Sequence, residues 1–216
     1  MKKMILSVVT LALTTVTSYA QFTASDVFKK DEIVCYGIDF SKAKFIGQFD
    51  EGAGIGGAQG GSEMKSKWMP EWNMLMVNEQ AKGFDFKKAM DKASIYYDMG
   101  PVKEDNANTD KDALMAMNAQ KLSKEDAEKV VAGLGAGDKK EGIGMVWVVE
   151  NFNKPEKAAS YWIVFFDIKT KKVLFSEHVE GKCQGIGMRN FWGGSMKFII
   201  KDIDKDGWAS WKKKYK

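Results

Sequence analysis

The sequence predicts a mixed α+β fold, with one mixed β-sheet ending in a run of three strands and about three helices packed on it. Three observations carry this prediction. Apolar and β-branched runs of strand length alternate with segments of helical period in the first half of the chain. Three strong strand signals, GMVWVVEN from Gly144, ASYWIVFFDI from Ala159 and KVLFSEHV from Lys172, then follow in close succession. A last stripe, Met188, Phe191, Trp192, Ser195, Met196 and Ile199, has helical spacing. Strands interleaved with helices imply a sheet covered by helices.

In chain order, Lys2 and Lys3 precede an apolar run from Met4 to Leu13, and the segment closes on Ser18-Tyr19-Ala20. A basic start, a short apolar core and small residues at −3 and −1 make a secretory signal peptide over residues 1–20. The run is too short for a retained membrane-spanning helix. The mature chain is then one αβ domain, residues 21–216, expected in the periplasm or outside the cell. No cysteine stands at the expected new N-terminus, which speaks against a lipid anchor there. Losing Lys2 and Lys3 lowers the formal net charge from +4 to +2, too balanced a value to suggest nucleic-acid binding.

EIVCYGIDF, Glu32 to Phe40, reads as the first strand, and Lys44 to Phe49 extends it or pairs nearby. A glycine-rich loop follows, GAGIGGAQGG. From Trp68, apolar residues at steps of three and four predict a helix to about Lys82, with Pro70 in its first turn. Phe84 to Met90 leads into a second strand at Ser94. Residues 101–123 read as a loop with one short helix around Asp112 to Asn118. Ser123 with Asp126 three residues on is a helix start, and the glycines from Gly133 stop that helix. Lys169 to Lys172 closes a hairpin. Gly193-Gly194 in the last helix permits a close approach to its neighbour.

The strand–turn–strand FFDIKTKKVLFSE, with an Asp ahead of a Lys/Thr turn, resembles that of the curli-secretion, TolB amino-terminal and penicillin-binding-protein activator group. The closing GIGMRNFWGGSMKFIIKDI is similar to the ending of secreted bacterial proteins of this size. The resemblance covers roughly Ile33 to Ile203. It implies a small αβ domain that works by contacting other envelope proteins rather than by catalysis, and it carries over no functional residue.

Several local patterns compete for a site. Gly52, Gly54 and Gly57 spell G-x-G-x-x-G, with Gly56 inside it, but the next helix begins too late for a dinucleotide cradle. A surface loop offering a partner contact is the alternative. Asp202, Asp204, Asp206 and Gly207 match the first half of a calcium loop, whereas Lys213 stands where a bidentate Glu is needed. The simpler reading continues the last helix to about Lys205, lets Gly207 end it and splays the three Asp. Trp208 and Trp211, among the lysines of the tail, either form a partner or peripheral membrane contact or cap the core. Met64, Met69, Met74 and Met76 could suit Cu(I), but Met69 and Met76 share the helical stripe with Trp72, which favours packing.

His178 is the only histidine, so any histidine-dependent nucleophilic centre must use it. Ser176, His178 and Glu180 share a strand face, and Cys183 is near in sequence. Cys35 and Cys183 could close one disulfide across a long loop, with two buried thiols as the alternative. The expected function is therefore a non-catalytic secreted or periplasmic protein binding another envelope protein. No cofactor is called for beyond the calcium pattern. Calcium or small-molecule binding is the second reading, and a hydrolase of unrecognised type the third.

Overall fold

The computed structural model describes residues 21–49 and 60–216. The signal-like segment and the glycine run up to residue 59, with Gly54, Gly56 and Gly57, lie outside the described residues. The fold is mixed α+β, built on a seven-stranded sheet. Helix α1 (Ala24–Lys29) leads into β1 (Glu32–Asp39) and β2 (Lys44–Ile46). After α2 (Gly60–Glu63), α3 (Met69–Asn78) and α4 (Phe86–Ala89) come β3 (Ser94–Tyr97), α5 (Gly100–Asn108), β4 (Met115–Ala116) and α6 (Lys124–Gly133). The run β5 (Ile143–Asn153), β6 (Ala158–Asp167) and β7 (Val173–Lys182) precedes α7 (Met188–Asp202) and α8 (Trp208–Tyr215).

β5 is the spine of the sheet. On one side it holds β1 and β2 end to end, both parallel: Val34–Asp39 beside Gly144–Val148, and Lys44–Ile46 beside Asn151–Asn153. β3 extends β1 and β4 extends β2, again parallel. On its other side β5 pairs antiparallel with β6, and β6 with β7. The three-strand C-terminal run is thus as the sequence predicts. β2 pairs with β5 and β4 rather than with β1. The β6–β7 turn is fixed by Asp167, whose Oδ1 accepts the Thr170 N–H at 2.9 Å, which gives a physical reason for an Asp ahead of the Lys/Thr turn.

Both faces of the sheet are covered. Ile33, Cys35, Phe45, Met145, Trp147, Phe152, Tyr161 and Phe165 bury one face against α3, α4, α7 and α8. Val34, Tyr36, Val146, Val148, Val164 and Phe166 bury the other under α6 and Val102 of α5. Burial on both sides explains the near-continuous apolar runs of β5 and β6.

The helices differ from the sequence expectation in number and extent. α1, α4 and α5 are additional, and residues 101–123 hold α5 and β4 instead of a loop with one helix. The helix expected from Trp68 begins upstream, where a π-turn (Met64–Trp68) joins α2 to α3 ahead of Pro70; the widened turn accommodates a residue with no N–H. Gly207 does not end the last helix. It sits at φ −61° inside a second π-turn (Ile203–Gly207), and the chain continues into α8.

That continuation corrects the tail as a partner surface. Trp208 and Trp211 are each only 8% exposed. Trp208 packs on Phe28 (4.8 Å) and Phe165 (6.0 Å), and Trp211 on Phe165 and Phe175. The two cysteines are free and buried. Cys35 on β1 and Cys183 after β7 lie three strand spacings apart across the sheet, roughly 14 Å, and are further offset along the strands, since Cys35 is level with Met145 and Cys183 with Lys157, so they are well beyond the reach of a disulfide. Burial pushes each thiol up to about 12, so both are poor nucleophiles at neutral pH.

α7 touches the sheet backbone to backbone. A Cβ on Gly181 would lie 2.1 Å from the Ser195 carbonyl oxygen, and one on Gly194 would lie 2.1 Å from that of Gln184. Gly194 thereby makes the close approach expected of the glycine pair. Neither obstacle is a side chain that can swing away. Gly194→Ala and Gly181→Ala should each destabilise the protein by about 1–3 kcal/mol, the usual range for overpacking, measured by urea denaturation, while Gly133→Ala, with open space around it, should not.

Candidate functional site

Among the described residues, one concavity lies where the β5–β6 turn, the residues after β2 and the start of α7 meet. It is a cavity of about 460 Å³ lined by Phe49, Lys154, Lys157, Met188, Phe191, Trp192 and the segment Gly185–Gly187, within the size range of small-molecule sites. Its floor is rigid. Trp192 stacks on Phe152 (4.6 Å) and on Phe49 (5.4 Å), and Phe152 meets Trp72 (5.0 Å) and Phe45 (5.4 Å). Ser195 donates to the Trp192 carbonyl at 2.7 Å and bonds the buried Tyr161 hydroxyl at 2.8 Å.

Main-chain bonds hold the walls. The turn is tied to β2 by Lys154 N–H to Ile46 C=O (3.1 Å), and to the end of β7 by Cys183 N–H to Lys157 C=O (2.7 Å). Lys154 Nζ donates to the Gln48 carbonyl. Arg189 clamps the first turn of α7 to α3 through Glu71 (3.2 Å) and Glu79 (2.8 Å), and its guanidinium holds the Glu79 carboxyl below the usual range. Gly185 and Gly187, at φ +130° and +80°, turn the chain from β7 into α7 and leave Ile186 between them 85% exposed. Lys154 and Lys157 line this largely apolar concavity, a composition that suits an anion with an apolar body.

A second polar cluster lies on the opposite sheet face. A bulge at Glu150 sends Glu150 and Asn151 to the same side. Glu150 Oε2 meets His178 Nε2 at 2.8 Å, and Oε1 accepts the Leu122 N–H at 2.6 Å. Asn151 makes two bonds to the Gln120 backbone, at 3.0 and 2.7 Å. Burial works to raise the Glu150 carboxyl, but the bonds from His178, Ser160 and Leu122 outweigh it and leave it lowered. These two side chains stand in for a neighbouring strand and fasten residues 120–122, the approach to α6. Ser176 bonds Glu128 at 2.7 Å, and Cys183 belongs to the core of the other face. His178, Ser176 and Cys183 therefore form no nucleophile–base pair.

Asp202, Asp204 and Asp206 are splayed along the α7–α8 rod. Asp204 pairs with Lys88 at 2.7 Å and Asp206 with Lys205 at 3.3 Å. Among the described residues no group of three His, Cys, Asp or Glu side chains could hold a metal ion. Of the methionines, Met64, Met69 and Met76 are core residues, and Met74 is partly exposed. Among the described residues, no helix is long and apolar enough to cross a membrane.

No protein-family model, curated protein or solved structure matches the chain. The site therefore rests on its own geometry. No local pattern marks Lys154 or Lys157, and Ile186 reads as the start of the last helix, which the structure begins at Met188. The available signal was Gly185-Ile-Gly187, an aliphatic residue between two glycines in a polar stretch, where neither a strand nor a helix could bury it.

One further buried group stands out. At the end of β1, Asp39 accepts the Ser41 N–H at 2.9 Å through Oδ1, while its fully buried Oδ2 meets no donor. Burial, then the neighbouring Asp105 carboxyl, pushes Asp39 up to about 7. In the unfolded chain it titrates near 4, so between about pH 4 and 7 folding takes up a proton and stability falls as pH rises. Asp39→Asn should flatten this slope, read as the difference in unfolding free energy between pH 5 and pH 8; an unchanged slope would remove Asp39 as its source.

Proposed function

We propose that this is a secreted or periplasmic envelope protein that acts by binding, and that its site is the cavity between the β5–β6 turn and the start of α7. The ligand class is an amphipathic anion, a carboxylate or sulfonate on an apolar body. The observation that carries this reading is a stacked aromatic floor in a cavity that Lys154 and Lys157 also line. The signal-like N-terminus supports the compartment, and the likeness in element order to envelope interaction domains supports binding over catalysis. The one acid–histidine pair is committed to fastening residues 120–122, which favours the same conclusion.

The test uses the mature chain from Gln21 and the probe 8-anilinonaphthalene-1-sulfonate, with decanoate as competitor. Saturable probe fluorescence, displaced by decanoate and weakened about tenfold by Lys154→Glu with Lys157→Glu (~1.4 kcal/mol), is expected. Probe binding that neither saturates nor responds to the lysine reversals would assign it to general surface adsorption and sink the proposal.

A further inference from the structure

The mouth of the cavity continues into a second exposed surface. The segment Gln184–Gly187 borders both: Ile186 lines the cavity, and Gln184 lines a shallow groove with Phe198, Lys201 and Lys205 on the outer side of α7. Two apolar side chains protrude there, Ile186 at 85% and Phe198 at 41% exposure. Lysines flank them on both sides, Lys154 and Lys157 on the turn and Lys201 and Lys205 along the helix, with Lys197 beside Phe198. Asp202 also lines the groove, and Asp206 contacts Lys205 where both side chains are 76% exposed.

We infer that this face rests on the surface of an anionic phospholipid bilayer. The shape decides the occupant. Ile186 projects from a turn whose flanking glycines give it no side chain to lean on, so it is presented outward as a single peg. Phe198 stands apart from it on the helix. Separate pegs ringed by cations suit a fluid medium that closes around each side chain, with ammonium groups at the phosphate level and their stems lying over apolar surface. A folded protein partner calls instead for a contiguous, complementary patch. Charge points the same way, since Lys154, Lys157, Lys197, Lys201 and Lys205 stand against Glu156, Asp202 and Asp206 on this face. Ile186, Lys154 and Lys157 belong to both surfaces, whereas Phe198, Lys201 and Lys205 do not line the cavity.

The experiment is co-sedimentation of the mature chain with vesicles of phosphatidylglycerol or phosphatidylcholine, at low and raised salt. Binding to the anionic vesicles alone is expected, weakened by salt. Lys201→Glu with Lys205→Glu, and separately Ile186→Ser, should each lower partitioning at least tenfold. The lysine pair should leave probe binding in the cavity unchanged, which separates failure of this surface from failure of the cavity. Equal binding to both lipids, no binding, or loss only when Lys212, Lys213 and Lys216 are replaced would overturn the inference. So would salt-sensitive binding to polyglutamate without binding to vesicles, which would assign the face to an acidic polypeptide.

Discussion

The contact of α7 with the backbone of β7 is the constraint on which the rest of this end of the molecule depends. Because Gly181 and Gly194 carry no Cβ, the helix approaches until carbonyl oxygens occupy the places side chains would take. That approach brings Trp192 down onto Phe152 and Phe49 and sets Ser195 against Tyr161. It also forces the connection after β7 to be short and sharply turned, which requires the positive φ of Gly185 and Gly187 and expels Ile186 into solvent. The aromatic floor and the projecting aliphatic are two results of one packing choice. Interiors at this density transmit such choices with little slack.

The parallel half of the sheet solves a different problem. β3 is short and covers β1 only to Cys35, so the backbone of Ile38 and Phe40 lacks a strand on that side. Two side-chain amides replace it. Asn73 accepts the Ile38 N–H at 2.7 Å, Asn106 accepts the Phe40 N–H at 2.7 Å, and both donate to the Ile38 carbonyl, at 3.0 and 2.9 Å. Asn73 can reach in because residue 37 is glycine, at φ +93°; a Cβ there would sit 2.4 Å from the amide oxygen. Glu150 and Asn151 do the same for residues 120–122. Buried backbone left without partners costs about 1–3 kcal/mol per group, which accounts for four polar side chains in otherwise apolar surroundings.

These features divide what a sequence shows from what it hides. The strands β1, β5, β6 and β7 and the helices α6 and α7 announce themselves because each buries a periodic apolar set, and Ser123 marks its helix start through its bond to the Asp126 N–H. α5 is hidden because GPVKEDNAN is polar nearly throughout; it is held by Val102, Asn106 and its place on β1 rather than by an apolar stripe. α8 is hidden because Gly207 reads as a terminator, and only the π-turn keeps Trp208 and Trp211 in phase with the core. The cavity residues are drawn from a turn, a loop and one helical turn distant in sequence. No local pattern joins Lys157 to Phe49 and Trp192, so only the folded chain brings them together. The Asp202, Asp204 and Asp206 pattern misleads for the converse reason: its spacing suits a loop, but the chain there is helical.

The central claim is that the cavity beside α7 takes an amphipathic anion. Its most direct test is methyl NMR of the mature protein, labelled at Ile and Met methyl groups and titrated with decanoate. The account predicts saturable shifts at Ile186 and Met188, with Met90, buried away from the cavity, unmoved. Shifts confined to surface methyls such as Met117, or no saturable shift at Met188, would contradict it.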